Sequence, residues 1–189
     1  MNRLIGLIMV LFVISASQVF AQDKVYKIGD TGPSGGFVFF DKGALTNGWR
    51  YLETAPVDNV DTSVFSDVYE AIGTTKTGIG EGKANTKAII EQTGHKESAA
   101  KLCDDLEVAY NGKTFSDYFL PSKDELNLMY ENLYKNGVGG FSADNIYYYY
   151  YWSSSEYDEN CVWYQFFNEG KQTYFSKPYD LLVLCSRAF

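Results

Sequence analysis

Residues 143–189 constrain the fold of this chain most, because aromatic, hydroxyl and cysteine side chains are concentrated there in short runs. Tyrosines occupy positions 147–151, directly before Trp152 and three serines. Further on, Cys161 and Cys185 lie among aromatic and branched residues, which favour strands. This stretch predicts a rigid group of strands and hairpins.

The amino-terminal residues match a secretory signal peptide. Arg3 makes the start positive, residues 4–14 are almost wholly apolar, and small residues stand at positions −3 and −1 of a cut after Ala21. The apolar run is shorter than the roughly 20 residues that a membrane span needs. We expect cleavage near Ala21 and a secreted, periplasmic or surface-exposed chain. Its residues 22–189 are predicted to form one domain without a membrane span.

Charge and composition exclude several classes of protein. The chain carries 24 acidic and 16 basic residues, a net charge of −8, and has no basic run. Nucleic-acid binding depends on neutralising phosphates, so we expect no nucleic-acid partner. With one histidine and no cysteine pair at ligand spacing, a zinc site is not expected either. The sequence predicts no metal and no cofactor.

Three cysteines leave an odd thiol in an oxidising compartment, so one disulfide and one free cysteine are expected. Cys103 falls on the apolar side of a predicted helix, and Cys185 follows the apolar run at 181–184. This pattern favours a bond between Cys103 and Cys185. A bond between Cys161 and Cys185 in neighbouring strands, or three free thiols, are the alternatives.

Turn and periodicity signals divide the rest of the chain. Asn47 and Gly48 predict a hairpin turn between strands at 37–40 and 49–52. A long polar loop is expected at 55–82, with a short helical piece at 66–72.

Three helices are predicted next, at 85–94, at 96–110 and after the capping box formed by Ser122 and Glu125. Strands flank these helices without β-α-β alternation. The fold class is therefore α+β with a mainly antiparallel sheet and about three helices.

Catalytic patterns are incomplete. His95 is the sole histidine, and no nucleophile-elbow pattern accompanies it. The glycine-rich run 77–83 resembles a phosphate-binding loop, but Thr77 and Ala84 replace the glycine and hydroxyl residue that this loop needs. Adjacent carboxylates point apart on a helix, so a hydrolase is only a second alternative. We expect no enzymatic activity.

Aromatic residues make the stronger case for binding, because 16 Tyr, 13 Phe and 3 Trp are too many to bury completely. We predict that the tryptophans fill the core, while alternate tyrosines of 147–151 face outward and stack on sugars. Polar residues of a hairpin turn near 168–171 would read hydroxyls. The candidate ligand-binding residues are Tyr147, Tyr149, Tyr151, Asn168, Lys171 and Gln172.

Seven motifs in a fixed order carry a resemblance to a known family. They are IGDTGPSGG (28–36), GWRYLE (48–53), GEGKANT (80–86), FLPSKDEL (119–126), WSSSE (152–156), WYQF (163–166) and RAF (187–189). Together they resemble the Lcl C-terminal-like domain family, named for the carboxy-terminal domain of a bacterial collagen-like adhesin. The resemblance covers nearly all of residues 22–189.

This resemblance implies an extracellular, non-enzymatic module of C-type-lectin-like fold that adheres to glycans or cell surfaces. In such folds a helix cysteine bridges the last strand, which supports the Cys103–Cys185 pairing. The chain has no collagen-like repeat and is acidic, which weakens the case for a sulfated glycan. A glycan or cell-surface partner is expected, and a homo-oligomer is allowed. The alternative function is a structural envelope or protein-interaction domain.

Overall fold

The computed structural model describes residues 24–141 and 149–189. The predicted signal peptide and Tyr147 lie outside these residues. The helices are α1 (Gly82–Ile90), α2 (Ala99–Asp104) and α3 (Lys123–Asn132). The strands are β1 (Val38–Thr46), β2 (Trp49–Thr54), β3 (Asp61–Val64), β4 (Val108–Tyr110), β5 (Lys113–Phe115), β6 (Tyr150–Glu156), β7 (Cys161–Phe166), β8 (Lys171–Ser176), β9 (Asp180–Val183) and β10 (Ser186–Ala188).

These strands form three sheets, in the orders β1-β2-β10, β3-β9-β6-β7-β8 and β4-β5. Every strand pair in the described part is antiparallel except β6 with β9. The α+β class with mainly antiparallel pairing is thus confirmed. Within the same residues, no helix has the length and apolar character needed to cross a membrane.

The first hairpin forms where its turn signal predicts. Asn47 and Gly48 both have positive φ, 52° and 81°. This backbone matches the twist of the two flanking strands, and it is the conformation that an Asn-Gly pair adopts most readily. On the other side of β2, strand β10 pairs so that Arg187 lies opposite Glu53. The last residues of the chain therefore complete a sheet begun by its first strands.

Helices α1 and α2 differ in their bounds from the predicted helices, and the short helical piece predicted at 66–72 is absent. Helix α1 starts at Gly82, and Asn85 is not its cap, because its side chain exchanges hydrogen bonds with the main chain of Lys76. Helix α2 ends at Asp104, since residues 108–115 form the β4–β5 hairpin. The turn of this hairpin, Asn111-Gly112, has positive φ at both residues. An Asn-Gly pair is a hairpin signal, but the predicted helix over 96–110 did not take it into account. Residues 66–72 contain no helix.

Helix α3 confirms the capping-box prediction. The Ser122 hydroxyl accepts the Glu125 main-chain N–H, and the Glu125 carboxylate accepts the Ser122 N–H at 2.7 Å. The apolar side of the helix then buries Leu126, Met129 and the following Leu133 against the sheet. The helix is thus held both at its start and along one face.

A disulfide joins Cys103 to Cys185, as the sequence favours, with a Cα–Cα distance of 5.4 Å. Both residues are fully buried in a core that includes Phe65 and Trp152. Cys185 itself lies in the connection between β9 and β10, not in a strand as expected. The bond therefore ties α2 to the point where the chain passes from one sheet to the other.

Two buried ion pairs complete the framework. Arg187 donates to Glu53 at 2.7 Å and makes two further hydrogen bonds to Asp117. On the other side of the fold, Lys177 donates to Glu156 at 2.7 Å, and both side chains are almost wholly buried. Glu156 also accepts the main-chain N–H groups of residues 72 and 73. Because the carboxylates are fully paired, these charges position loops instead of offering free catalytic groups.

The disulfide makes a direct prediction. Replacing Cys103 and Cys185 together by serine removes a cross-link across 82 residues of sequence. We expect unfolding in urea to show a loss of about 2–5 kcal/mol, because the unfolded chain regains the entropy of an open loop.

The matched control is Cys161→Ser, which removes the free thiol and leaves the bond in place. A control that loses as much stability as the double variant would contradict this assignment of the bond.

Candidate functional site

The predicted tyrosine platform is not a solvent-facing surface. Tyr149 and Tyr151 each expose 4% of their surface and pack in the core beneath α3, with Phe167. The Tyr151 and Phe167 ring centroids are 4.4 Å apart. The prediction that these rings face outward is wrong, because α3 covers the side of β6 on which Tyr151 lies. Tyr147 lies outside the described residues.

The three predicted polar residues do not converge on one surface. Asn168 is exposed in the β7–β8 turn and accepts a hydrogen bond from the Tyr134 hydroxyl at 3.0 Å. Lys171 is exposed beside it at the start of β8. Gln172 faces α3 instead, where its amide donates to the Lys123 carbonyl at 2.8 Å and to Gln165. Gln172 therefore helps to hold the start of α3 against the sheet.

A different group of aromatic side chains is exposed on the five-stranded sheet. We call Tyr157, Trp163 and Tyr174 the aromatic corner. The rings of Tyr157 and Tyr174 are parallel within 4° with centroids 3.9 Å apart, and Trp163 stands edge-on to both. Tyr157 and Tyr174 expose 47% and 45% of their surface. Rings arranged in this way form a rigid apolar step that remains in contact with water.

Strand register and a short turn position the corner. Trp163 lies opposite Tyr174 in the β7–β8 ladder, so their side chains share one face. Tyr157 reaches the same face from the β6–β7 turn, where Asp158 accepts the main-chain N–H groups of residues 160 and 161. The rings are therefore held by backbone hydrogen bonds and do not depend on a ligand for their arrangement.

Helix α3 defines where the corner begins. It covers the sheet face up to Lys123, whose ammonium group lies 3.8 Å from the centre of the Trp163 ring. Beyond this first residue of the helix, the same face is uncovered. The prediction that all three tryptophans fill the core is therefore wrong, since only Trp152 is fully buried and Trp49 and Trp163 are half-buried.

The corner presents the Tyr157 hydroxyl, and the Lys123 ammonium lies over its Trp163 ring. The neighbouring Tyr174 raises the pKa of Tyr157 above its usual value, so this phenol is neutral at physiological pH. Its O–H can donate or accept a hydrogen bond. Trp163 and Gln165 share one face of β7, as Gln172 and Tyr174 share one face of β8, and this period of two is a signal in the sequence. It indicates two faces, but not which part of a face a helix covers.

The glycine-rich loop at 77–83 holds an internal carboxylate in place of a phosphate. Glu125, fully buried, accepts the Gly80 N–H at 2.8 Å together with the Ser122 N–H. A Cβ atom on Gly82 would collide with the same carboxylate. Burial raises the pKa of Glu125, against hydrogen bonds from the main chain that lower it. The loop resembles a phosphate-binding loop because its main chain does bind an anion. That anion is the Glu125 carboxylate of the same chain.

His95 does not belong to a catalytic group of residues. Its Nε2 atom is 2.8 Å from the Ser98 hydroxyl, which also accepts the Lys101 main-chain N–H as the cap of α2. Ser98 is 2% exposed. A hydroxyl that caps a helix in this way cannot approach a substrate, so this Ser-His contact stabilises a helix start.

A cleft of about 730 Å³ lies between α1 and residues 116–119. Charged residues of both signs line the cleft: Lys83, Lys87, Glu91, Asp104 and Asp117. Both Asp117 oxygens accept hydrogen bonds from Arg187, and Lys87 pairs with Glu91 at 3.6 Å. Only Lys83 and Asp104 therefore remain without a charged partner among the described residues. The cleft offers no pair of free carboxylates facing one another.

Comparison with known proteins adds no family assignment. A scan against protein-family models finds no match, and no curated protein matches the sequence significantly.

The internal carboxylate of the 77–83 loop makes a second prediction. Glu125→Ala leaves buried main-chain N–H groups without an acceptor, and we expect a loss of about 2–4 kcal/mol in urea unfolding.

Glu131→Ala is the control, since Glu131 lies on the same helix but forms an exposed pair with Lys135. We expect a much smaller change for this variant. Equal losses for the two variants would contradict the structural role of Glu125.

Proposed function

We propose that this protein is an exported, non-catalytic module that binds carbohydrate at a cell surface through the aromatic corner. The observation that carries the proposal is the parallel, half-exposed pair Tyr157 and Tyr174 with Trp163 at right angles. A contiguous group of exposed apolar rings is typical of a surface that binds a ligand or a partner.

The geometry suits a pyranose ring. The C–H face of a sugar packs on an aromatic ring, while phenol and ammonium groups bind its hydroxyls. Tyr157 supplies such a phenol, and the Lys123 ammonium lies over the Trp163 ring. Because the chain has a net charge of −8, a neutral sugar is favoured over a sulfated or otherwise polyanionic one.

Export is supported by two independent features. The first 21 residues have the pattern of a signal peptide. The Cys103–Cys185 bond belongs to an oxidising compartment. On these grounds we propose that the protein acts outside the cytoplasm.

We further propose that the fold is C-type-lectin-like and that the chain is a member of the Lcl C-terminal-like domain family. Support comes from the seven ordered motifs and from the bond between a helix cysteine and the last segment of the chain. The pairing of β10 with β2, which joins the two ends of the domain, agrees with this interpretation. The binding proposal itself rests on the corner and not on this membership.

The experiment is binding of the purified protein to a glycan array, followed by titration with neutral gluco-, manno- and galacto-oligosaccharides. We expect Tyr157→Ala to weaken binding about five-fold, since one aromatic contact contributes roughly 0.5–1.5 kcal/mol. A heparin oligosaccharide is expected to bind less well than the neutral sugars.

The matched control is Tyr69→Ala, because Tyr69 is 54% exposed but lies outside the corner. The proposal fails if the array shows no binding, or if Tyr69→Ala weakens binding as much as Tyr157→Ala.

A further inference from the structure

Strand β8 is an edge of the five-stranded sheet and has no neighbour on its outer side among the described residues. All six of its residues pair with β7 without a bulge. The ladder continues at Lys177, whose main-chain N–H donates to the Asn160 carbonyl at 3.1 Å. Hydrogen-bonded pairs alternate along an antiparallel ladder. Phe175, Thr173 and Lys171 therefore also direct their main-chain N–H groups towards β7. The residues between them direct their main-chain N–H groups outward: Gln172, Tyr174 and Ser176.

The other sheet edges in the described part are protected. Strand β1 has two register shifts and carries Asp41 and Lys42. Strand β3 has four residues and begins with Asp61, and β4, β5 and β10 have only three residues each. Short, bulged or charged edges of this kind resist pairing with another chain. Strand β8 lacks all three protections beyond its first residue, Lys171.

Apolar side chains flank this open edge on both faces. Tyr174 lies on the face of the aromatic corner, and Phe175, which is 40% exposed, lies on the opposite face. Phe175 continues a row of contacting rings that runs from Tyr150 through Tyr164 to Tyr179. An added strand would therefore cover apolar surface on both sides as well as satisfy main-chain groups.

We propose that β8 pairs with β8 of a second copy of this chain, antiparallel and about a two-fold axis at Tyr174. This inference rests on the strand edge and does not depend on the proposed function. In this register the three outward-facing residues bond to their counterparts, with Tyr174 opposite Tyr174 and Gln172 opposite Ser176. Thr173 then lies opposite Phe175 in a pair without main-chain hydrogen bonds, where side chains are closest.

A second copy fits this edge for reasons of charge and symmetry. The chain has a net charge of −8, so two copies repel one another over most of their surface. The paired segment 172–176 contains no charged residue, so no like charges meet within it. At its ends Lys171 lies opposite Lys177, whose charge is paired with Glu156. The interface is isologous and closes at two copies. It joins two five-stranded sheets into one of ten strands.

The dimer has a consequence for the aromatic corner. Because the axis is perpendicular to the sheet, both corners lie on the same face of the joined sheet, next to each other. Two weak sites held side by side bind a repeating surface ligand more tightly than either alone. This gain applies to any repeating ligand that the corner recognises.

The first test is sedimentation equilibrium of the purified protein over roughly 5–500 µM, with Cys161→Ser in every sample to exclude a bond through the free thiol. We expect a reversible monomer–dimer equilibrium. Phe175→Lys should weaken it at least ten-fold, because a lysine on an edge strand opposes pairing. The control is Leu45→Lys, where an apolar residue that is 70% exposed lies on the bulged edge β1.

The second test fixes the register. With Cys161→Ser also present, the double variant Thr173→Cys, Phe175→Cys is expected to give a covalent dimer on mild oxidation, since these positions meet across the axis. A single Phe175→Cys variant should cross-link much less.

A protein that stays monomeric across the range, or that forms larger species, overturns the inference. So does an equal effect of Leu45→Lys and Phe175→Lys. The outcome is separable from the proposed function, since a monomer can bind glycans and a dimer can form without any. Glycan binding by a monomer contradicts only the dimer inference. A dimer that binds no glycan contradicts only the proposed function.

Discussion

The bond between Cys103 and Cys185 is the constraint on which the rest of this structure depends. Cys185 lies between β9, in the five-stranded sheet, and β10, in the three-stranded sheet. Fixing this connection to α2 fixes how the chain passes between the sheets, and places Arg187 where it reaches Glu53. Each sheet pairs an early strand with a late one, β2 with β10 and β3 with β9, and the bond lies in the core around Trp152, beside the core that Leu52 and Tyr151 share. A cross-link over a long loop stabilises this arrangement by limiting the unfolded chain.

Buried charges in this protein support the fold and leave few charged groups free in the clefts. Glu53, Glu125 and Glu156 are each held by a cation or by main-chain N–H groups. Each of them closes a loop onto a strand or helix, and each would be costly to bury alone. This use of carboxylates explains why the glycine-rich run 77–83 holds the Glu125 carboxylate in place of a phosphate.

The exposed rings and the open strand edge occupy the same end of the five-stranded sheet. Tyr174 belongs to both features, as a member of the corner and as the centre of the outer edge of β8. A single strand can serve both purposes, because its side chains alternate between faces while its main chain points sideways. Binding through a sheet face and association through a sheet edge are physically independent, and here they are adjacent.

Much of the local structure could be predicted from the sequence. The Asn47-Gly48 turn, the capping box at Ser122 and the core position of Cys103 follow from short-range geometry, and all are confirmed. The exposure of aromatic rings could not be predicted in this way. Alternation along β6 and β7 separates two faces, but α3, which precedes both strands, decides which face is covered and how far. Because α3 begins at Lys123, Tyr151 is buried and Trp163 is left half-exposed. The sequence by itself determined the turns, the caps and the alternation; only tertiary packing decided which alternate residues meet water, since burial depends on what a distant segment covers.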